Sequence, residues 1–416
     1  MKFRDVGVTN LSLEISTNCN IRCTFCPIDQ RAAPTRYLTL EQIKPILDQL
    51  AEDGSLEMVG FQFLNEPLLH PGIEAILAYA HQVGLRTFVS TNGTILNQRI
   101  IDILAHASPT KMKISVQDVN PKTFKVVKGT KMSYEEFRER VAKFVHRRLT
   151  DEQFRTKVEI DIAVPIKTGG RAVRKRSWLE HALGVTFTDQ TINDANQELL
   201  QHIKEFLHYL ETEARAPIEW ERFNPDLYNV KTWTRDYVPT ARIGPGITLE
   251  LKAFYDWIGI DRKLPVTYGS CERLNHVVLN YKGDFQLCCA DTHGKTAIGN
   301  VFERPLKEIL AEPANLAKLL RAPGHELPTE HCRRCKGAPT RRGVAILNFT
   351  NRFRSRNPRF IPEAQRDSVA ALARLRERER AANQTAVVSA IDEALPPRPE
   401  PASLEAATAA SGPVET

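Results

Sequence analysis

The sequence contains no run of about 18 to 20 consecutive apolar residues, which is the length that a helix needs to cross a lipid bilayer. Its first ten residues, MKFRDVGVTN, carry charges and lack the apolar stretch of a secretory signal. Neither sign of charge dominates, because 57 basic and 50 acidic residues leave a net charge of +7. That balance permits an acidic ligand without indicating nucleic acid. We therefore expect a soluble cytoplasmic protein with no membrane partner.

Cysteine is scarce and clustered. The chain has eight cysteines, of which three lie between residues 19 and 26, and the next is Cys271. Disulfide frameworks are typical of small secreted domains, and this chain of 416 residues fits neither description. The clustered thiols therefore indicate metal binding.

The first half of the chain alternates between strand-like and helix-like patterns. The predicted strands are 11–16, 58–64, 86–90, 111–116, 158–164 and 217–223. Thr39 and Gln42 form a capping-box pattern at the start of one intervening helix. Six consecutive βα units predict an α/β fold in which a parallel sheet curls into a full or partial barrel. Functional residues are then expected at the carboxyl ends of the strands.

Cys19, Cys23 and Cys26 follow the first predicted strand with the spacing Cys-x3-Cys-x2-Cys. Three thiolates on one loop suit three corners of a cubic iron–sulfur cluster, which leaves the fourth iron open to a chelating small molecule. A zinc ion is the alternative, but it would need a fourth ligand from elsewhere in the chain.

With Phe25 directly before the third cysteine, this loop resembles the signature of the radical S-adenosylmethionine (SAM) enzymes. In that family the open iron binds the amino and carboxylate groups of SAM, and the reduced cluster cleaves SAM to a 5′-deoxyadenosyl radical. Three later segments also resemble family segments that bind SAM: LNEP at 64–67, STNG at 90–93, and 113–129. The resemblance assigns SAM contacts to Phe25, Asn65, Glu66, Ser90, Thr91, Asn92, Ser115 and Lys128. The family has glycines where Leu64 and Asn65 stand, and many members have arginine at the position of Lys128.

A second constellation comprises Cys271, Cys288, Cys332 and Cys335. By spacing alone, four thiolates suit one zinc ion or one 4Fe–4S cluster. The stretch from Cys271 to Cys335 resembles the SPASM/twitch domain of radical SAM enzymes, in the shorter version with one auxiliary 4Fe–4S cluster. Cys289 is then a spare thiol or a substitute for Cys288. Asp291 is a candidate base near that cluster, although an aspartate in a turn is an equally simple interpretation.

The predicted fold is thus a partial (βα)6 TIM-like barrel followed by a small α+β twitch/SPASM-type domain and a disordered tail. The predicted ranges are 8–225 for the barrel, 226–264 for a connection, 265–345 for the auxiliary cluster domain, 346–386 for a basic helical extension and 387–416 for the tail. The tail is rich in alanine and proline and has too few large apolar residues to fold.

The resemblance implies a radical SAM oxidoreductase that uses a SAM-binding 4Fe–4S cluster, SAM and one auxiliary 4Fe–4S cluster. We expect an oxidation of a carbinol in a sugar or aminocyclitol, with modification of a ribosomal peptide as the alternative. The expected partners are a small-molecule or peptide substrate and a reductase such as flavodoxin or ferredoxin. Basic residues after the fifth strand fit either an anionic substrate or a solvated loop: Lys167, Arg171, Arg174, Lys175 and Arg176. A competing class is a zinc-stabilised nucleic-acid-binding protein, which leaves the order of Glu66, Asn92 and Ser115 after successive strands unexplained.

Overall fold

The computed structural model describes residues 2–31, 34–164, 189–223, 239–253, 260, 262–269, 271, 275–319, 326–355, 373–374, 376–378, 380–381 and 385–394. The chain forms two compact units. The larger unit comprises residues 10–258 and 277–303, and the smaller unit comprises residues 1–9, 259–276 and 304–416.

The larger unit is built on one sheet. Its strands are β1 Asn10–Leu13, β2 Met58–Phe61, β3 Thr87–Thr91, β4 Lys111–Gln117, β5 Lys157–Val164, β6 Thr240–Gly244, β7 Ile247–Ala253, β8 His276–Leu279, β9 Asp284–Gln286 and β10 Ala297–Asn300. Their order in the sheet is β10-β9-β8-β1-β2-β3-β4-β5-β7-β6. The six strands from β1 to β5 and β7 are parallel. The predicted α/β fold class, a partial (βα)6 barrel, is confirmed.

Helices connect the parallel strands. They are α1 Leu40–Asp53, α2 Ile73–Gln82, α3 Gln98–Ala107, α4 Phe124–Lys128, α5 Tyr134–Thr150 and α6 Asp189–Glu213. The predicted capping box is present at α1, where Gln42 N–H donates to Thr39 Oγ1 and Thr39 N–H donates to Gln42 Oε1. Among the described residues, no helix combines the length and the apolar character that a membrane span requires.

The sixth parallel strand lies at a different place from the one predicted. The predicted strand 217–223 ends in a 3-10 turn, Trp220–Arg222, and the strand β7 occupies Ile247–Ala253, within the predicted connection 226–264. In β7 the buried Ile247, Leu249 and Leu251 alternate with polar residues, which is the pattern of a strand with two different faces. Because prolines lie near this stretch, its alternating pattern was not recognised as a strand in the sequence. The predicted connection is therefore corrected, because its residues 240–244 and 247–253 belong to the main sheet.

Five further helices are described in the smaller unit. They are α7 Leu306–Ala311, α8 Pro313–Leu319, α9 Glu330–Cys335, α10 Arg341–Ser355 and α11 Thr385–Ala394. The last helix corrects the predicted start of the tail at residue 387. Val387 and Ile391, one helical turn apart, are buried, and α11 packs on α8. The rest of the predicted tail, 395–416, lies outside the described residues.

Candidate functional site

The three-cysteine loop follows β1 in the larger unit, and all three thiols are half-buried. Within the loop, Cys26 N–H donates to the Cys23 carbonyl at 3.0 Å, and the Arg22 guanidinium donates to the Cys19 carbonyl at 2.7 Å. These short-range bonds fold the loop into tight turns. The cysteine spacing thus produces a compact loop whose conformation is set largely by its own backbone.

The loop is also bonded to segments that follow later strands. Arg22 N–H donates to the Gly129 carbonyl at 3.0 Å, and Thr24 N–H donates to the Val127 carbonyl at 3.1 Å. On the other side, Glu66 N–H donates to the Asn18 carbonyl at 2.8 Å. Residues far apart in sequence therefore meet at the carboxyl ends of the parallel strands, as the sequence predicts.

The three thiols on one loop suit an iron–sulfur cluster, because such clusters are held by thiolates. A single zinc ion would need a fourth ligand from elsewhere in the chain. A group of three ligand-type side chains with donor atoms within 4.8 Å of one another is formed in the described part of the chain by Glu159, Asp161 and Glu250.

Burial raises the pKa of the Cys23 thiol to about 12, against the opposing effect of the Lys128 charge. Burial also raises the pKa of Cys19. Thiols in such surroundings hold their protons in a metal-free protein, and a bound metal would favour the thiolates. Binding of a metal cluster should therefore release protons.

Glu66 is the buried carboxylate of the site, with 1% of its surface exposed. Its Oε1 accepts from Leu68 N–H at 3.2 Å, and its Oε2 accepts from Asn92 N–H at 2.6 Å. The buried Thr91 hydroxyl also hydrogen bonds to it. Burial raises the pKa of Glu66 to about 7, and these hydrogen bonds limit the increase. Glu66 is thus rigidly held and titrates close to neutral pH.

Asn65 stands where the resembled family has glycine. Its Nδ2 donates to Ser16 Oγ at 3.4 Å, whereas its buried Oδ1 accepts no hydrogen bond from any described residue. A buried carbonyl oxygen without a donor is costly. The Asn65 Oδ1 is therefore an acceptor suited to a ligand N–H group.

Asn92 connects the predicted SAM residues to the cysteine loop. Its Nδ2 lies 3.0 Å from Asn20 Oδ1 and 3.8 Å from Cys19 Sγ, and its Oδ1 accepts from Thr94. Asn20 also donates to Thr94 Oγ1 at 2.8 Å. Asn20 was not among the residues predicted for the site, although its position between two cysteines of the loop could have indicated it. Phe25 and Ser90 are half-buried.

Lys128 is completely buried at the end of α4. Its Nζ donates to the main-chain carbonyls of Asn92 at 2.6 Å and Ser115 at 2.7 Å, which lie after β3 and within β4. The ammonium also lies 4.7 Å from the centre of the Phe137 ring. Burial lowers the pKa of Lys128 to about 8, against the opposing charges of Cys23 and Glu66. Lys128 thus joins β4 to the residue that follows β3 and interacts electrostatically with Cys23 of the cysteine loop.

Of the other five cysteines, Cys288 and Cys289 lie in the larger unit, and Cys271, Cys332 and Cys335 lie in the smaller unit. Cys288 Sγ accepts from Ala290 N–H at 3.3 Å, and Cys289 is buried. Cys332 Sγ accepts from Thr329 Oγ1 at 3.1 Å and packs with Val266 and Leu327.

Asp291 is completely buried. Its Oδ1 accepts from His293 N–H at 3.2 Å, and its Oδ2 accepts from Thr296 N–H at 2.5 Å. These contacts are those of a carboxylate that holds a turn, so the role of Asp291 as a base stays a prediction. The basic residues predicted in the loop after β5, from Lys167 to Arg176, lie outside the described residues.

Comparison with known proteins yields two family matches. The model of the radical SAM superfamily matches residues 13–161, and the model of the SPASM iron–sulfur cluster-binding domain matches residues 271–336. The first match contains the three-cysteine loop and every residue assigned to SAM. The second contains all five remaining cysteines.

Two relatives are similar over the first of these regions. An AdoMet-dependent heme synthase of Methanosarcina barkeri is 28% identical over 137 residues, which are 31% of this chain and 38% of the relative. An S-adenosylmethionine-dependent nucleotide dehydratase of Selenomonas ruminantium is 34% identical over 116 residues, which are 27% of this chain and 40% of the relative. The alignments thus span less than half the length of each relative.

A solved structure, Streptococcus suis SuiB bound to S-adenosylmethionine, is 13% identical to the chain. The alignment covers 76% of this chain and 68% of SuiB, with a TM-score of 0.45.

Proposed function

Because the chain is a radical SAM enzyme with a C-terminal SPASM-type iron–sulfur domain, we propose that Cys19, Cys23 and Cys26 hold its SAM-binding 4Fe–4S cluster. This assignment rests on one observation. Hydrogen bonds to the 127–129 segment, and the bond from Glu66 N–H to the Asn18 carbonyl, hold in place the loop that carries all three thiols. The cluster and SAM, when bound, supply a carbon-centred radical that takes a hydrogen atom from the substrate.

We propose that the side chains around the loop bind SAM. Glu66 and the Asn65 Oδ1 receive the ammonium group, since both present buried oxygen acceptors. Ser90, Thr91 and Asn92 lie on the ribose side, with Thr91 acting mainly through its bond to Glu66. Ser115 and Lys128 take the carboxylate end, and Phe25 completes the set. Because its Nζ also bonds two carbonyls, Lys128 positions the ends of β3 and β4 as well.

The affinity for SAM is expected to increase with pH through about 7. Glu66 must be ionised to attract the ammonium group of SAM, and burial raises its pKa to about 7. One pH unit below that pKa, only about a tenth of Glu66 is ionised, so SAM should bind about tenfold more weakly. Calorimetric titration of cluster-loaded protein with SAM between about pH 6 and 8 measures this dependence.

Glu66→Gln is the control for that titration. It keeps the volume and the acceptor oxygen but cannot ionise, so its SAM affinity should be weak and nearly independent of pH in this range. A pH dependence as steep in Glu66→Gln as in the wild type would show that another group is responsible. Iron content, measured in parallel, verifies that the cluster remains bound.

We propose that Cys271, Cys288, Cys332 and Cys335 ligate one auxiliary 4Fe–4S cluster, with Cys289 as the possible substitute for Cys288. The SPASM match includes all five thiols. A cluster with four protein ligands leaves no iron open to substrate, which suits it to accept an electron from the substrate radical.

Cys332→Ala is expected to reduce bound iron from about eight to about four atoms per chain, because each 4Fe–4S cluster contributes four. Formation of 5′-deoxyadenosine without substrate should persist in this variant. Iron analysis of Cys288→Ala and Cys289→Ala then identifies the ligand, since only its loss should remove four irons. Tightly bound zinc at these thiols would contradict the assignment.

For the overall reaction, we propose oxidation of a carbinol in a sugar or aminocyclitol, with electrons for the first cluster from a flavodoxin or ferredoxin. The reduced, reconstituted enzyme would be incubated with SAM and with 2-deoxystreptamine, myo-inositol or glucosamine. The expected result is a ketone formed together with 5′-deoxyadenosine. No ketone from any of the three would contradict this function, and turnover of a peptide instead would support the alternative of ribosomal peptide modification.

A further inference from the structure

Three adjacent parallel strands of the larger unit carry charged residues on one face. Alternate residues of β4, β5 and β7 point to the same side, and the residues on this side include Lys111, Lys113, Glu159, Asp161, Glu250 and Lys252. The opposite face is apolar and buried. There Ile114 packs near Gly93, beside Phe137 of α5. The charged face is therefore the side of the sheet turned away from that helix.

Ion pairs connect the three strands across this face. Lys113 Nζ lies 2.8 Å from Asp161 Oδ2, and Lys111 Nζ lies 2.6 Å from Glu159 Oε2. Lys252 Nζ lies 3.0 Å from Asp161 Oδ1, 3.3 Å from Glu250 Oε2, and in contact with Glu159. The Lys252 ammonium group thus occupies the position in which the three carboxylates of this face could hold a metal ion. We therefore assign no metal to this position.

The two central carboxylates are buried. Glu159 is 5% exposed and Asp161 is 6% exposed, whereas the lysines keep between 24% and 40% of their side-chain surface. Burying charged groups is costly even when they are paired, and apolar residues of similar size would often be as stable. The buried pair of Glu159 and Asp161 is therefore a candidate functional site.

Asp161 differs from its neighbours in two ways. Its Oδ1 lies 3.0 Å from Lys252 Nζ and beside the Glu159 carboxyl group. This oxygen accepts no other hydrogen bond of regular geometry from the described residues. In the sheet register Asp161 is directly opposite Ser115, which is assigned to SAM. Neighbouring strands lie about 4.8 Å apart. Asp161 thus presents an acceptor oxygen one strand away from the proposed SAM site.

The protonation of Asp161 suits a proton acceptor. Burial raises its pKa, and the neighbouring Glu159 carboxylate adds to the increase, while Lys113 and Lys252 oppose it. Burial also acts to raise the pKa of Glu159, but the lysines around it outweigh this and hold that pKa below its usual value. Of this pair, Asp161 is therefore the carboxyl group that exchanges a proton near the working pH.

We propose that Asp161 is a catalytic residue whose Oδ1 accepts a hydrogen bond from the hydroxyl of the carbinol being oxidised and then takes the proton of that hydroxyl. This inference rests on the proposed oxidation. The C–H bond breaks and its hydrogen atom goes to the adenosyl carbon radical. The O–H bond breaks and its proton goes to Asp161. The remaining electron goes to an iron–sulfur acceptor as the C=O bond forms, which completes a two-electron oxidation.

The test compares wild type, Asp161→Asn and Glu250→Gln with the compound of the panel that the wild type oxidises. Asp161→Asn keeps the size of the side chain but removes the base. The ketone formed per 5′-deoxyadenosine should fall by about tenfold or more, a ratio that is independent of the rate of SAM cleavage. Glu250→Gln, a more exposed carboxylate of the same face, should behave like the wild type.

A second measurement does not depend on the folding of a variant. The yield of ketone per 5′-deoxyadenosine in the wild type should increase with pH as Asp161 ionises, around its raised pKa of about 6. A flat profile from about pH 5 to 8, a normal ketone yield in Asp161→Asn, or an equal loss in Glu250→Gln would each overturn the inference. Failure of the wild type to oxidise any compound would overturn the proposed function itself, and this inference with it.

Discussion

Replacement of Cys23 by alanine is expected to reduce reductive cleavage of SAM by at least about two orders of magnitude. Cys23 is the middle thiol of a loop whose neighbours on both sides, Arg22 and Thr24, are bonded to the 127–129 segment. A cluster held at three corners has no spare protein ligand, so the loss of one thiolate removes it or leaves it labile. The same result is expected for alanine at Cys19 and at Cys26.

Iron content and 5′-deoxyadenosine formation, both measured after anaerobic reconstitution, test this expectation. Cys332→Ala is the matched control, because it removes a thiol outside the loop and should leave SAM cleavage intact. If Cys23→Ala retained cleavage while Cys332→Ala lost it, the two clusters would have been assigned the wrong roles.

The second large effect is expected at Gly129, where the chain leaves α4 with a φ of +58°. A Cβ atom at this position would lie 1.8 Å from the carbonyl oxygen of Arg22, which belongs to the cysteine loop. The neighbour is backbone and cannot rotate away. Gly129→Ala should therefore push the loop off the 127–129 segment and break the 3.0 Å bond from Arg22 N–H to the Gly129 carbonyl.

Gly84 supplies a control with matched backbone. Its φ is +80°, and an added Cβ would meet no atom within 4 Å. Gly84→Ala should lose only about 1–2 kcal/mol for the left-handed conformation. Gly129→Ala adds about 1–3 kcal/mol of steric strain and also displaces the cluster ligands. Urea unfolding and iron content of the two variants measure the difference. Equal iron content in both variants would show that the contact between Arg22 and Gly129 is not needed for cluster binding.

The sequence predicted those parts of the fold that depend on local patterns. Five of the six parallel strands and the capping box at Thr39 follow from short-range periodicity and were found at or near the predicted residues. The strand at Ile247–Ala253 was missed because its alternating pattern stands beside prolines and follows a weaker, misleading pattern at 217–223. The helix Thr385–Ala394 was missed because burial of Val387 and Ile391 depends on α8, more than 60 residues earlier.

The site was predictable to the extent that residue types identify chemistry. The cysteine spacing, Glu66 and Asn92 were named from sequence, and the structure brings them together. The burial of the Lys128 side chain could not be predicted from the sequence. Its hydrogen bonds to the carbonyls of Asn92 and Ser115 were therefore not expected. The charged face was not predictable either, because Glu159 and Lys252 are 93 residues apart and meet only through the strand register.

The most direct test of the radical SAM assignment is the formation of 5′-deoxyadenosine by anaerobically reconstituted protein with SAM and a strong reductant, in the absence of substrate. The assignment predicts that 5′-deoxyadenosine forms and that it disappears when Cys19, Cys23 and Cys26 are all replaced by alanine. A colourless protein that holds zinc at these cysteines and leaves SAM intact would contradict it.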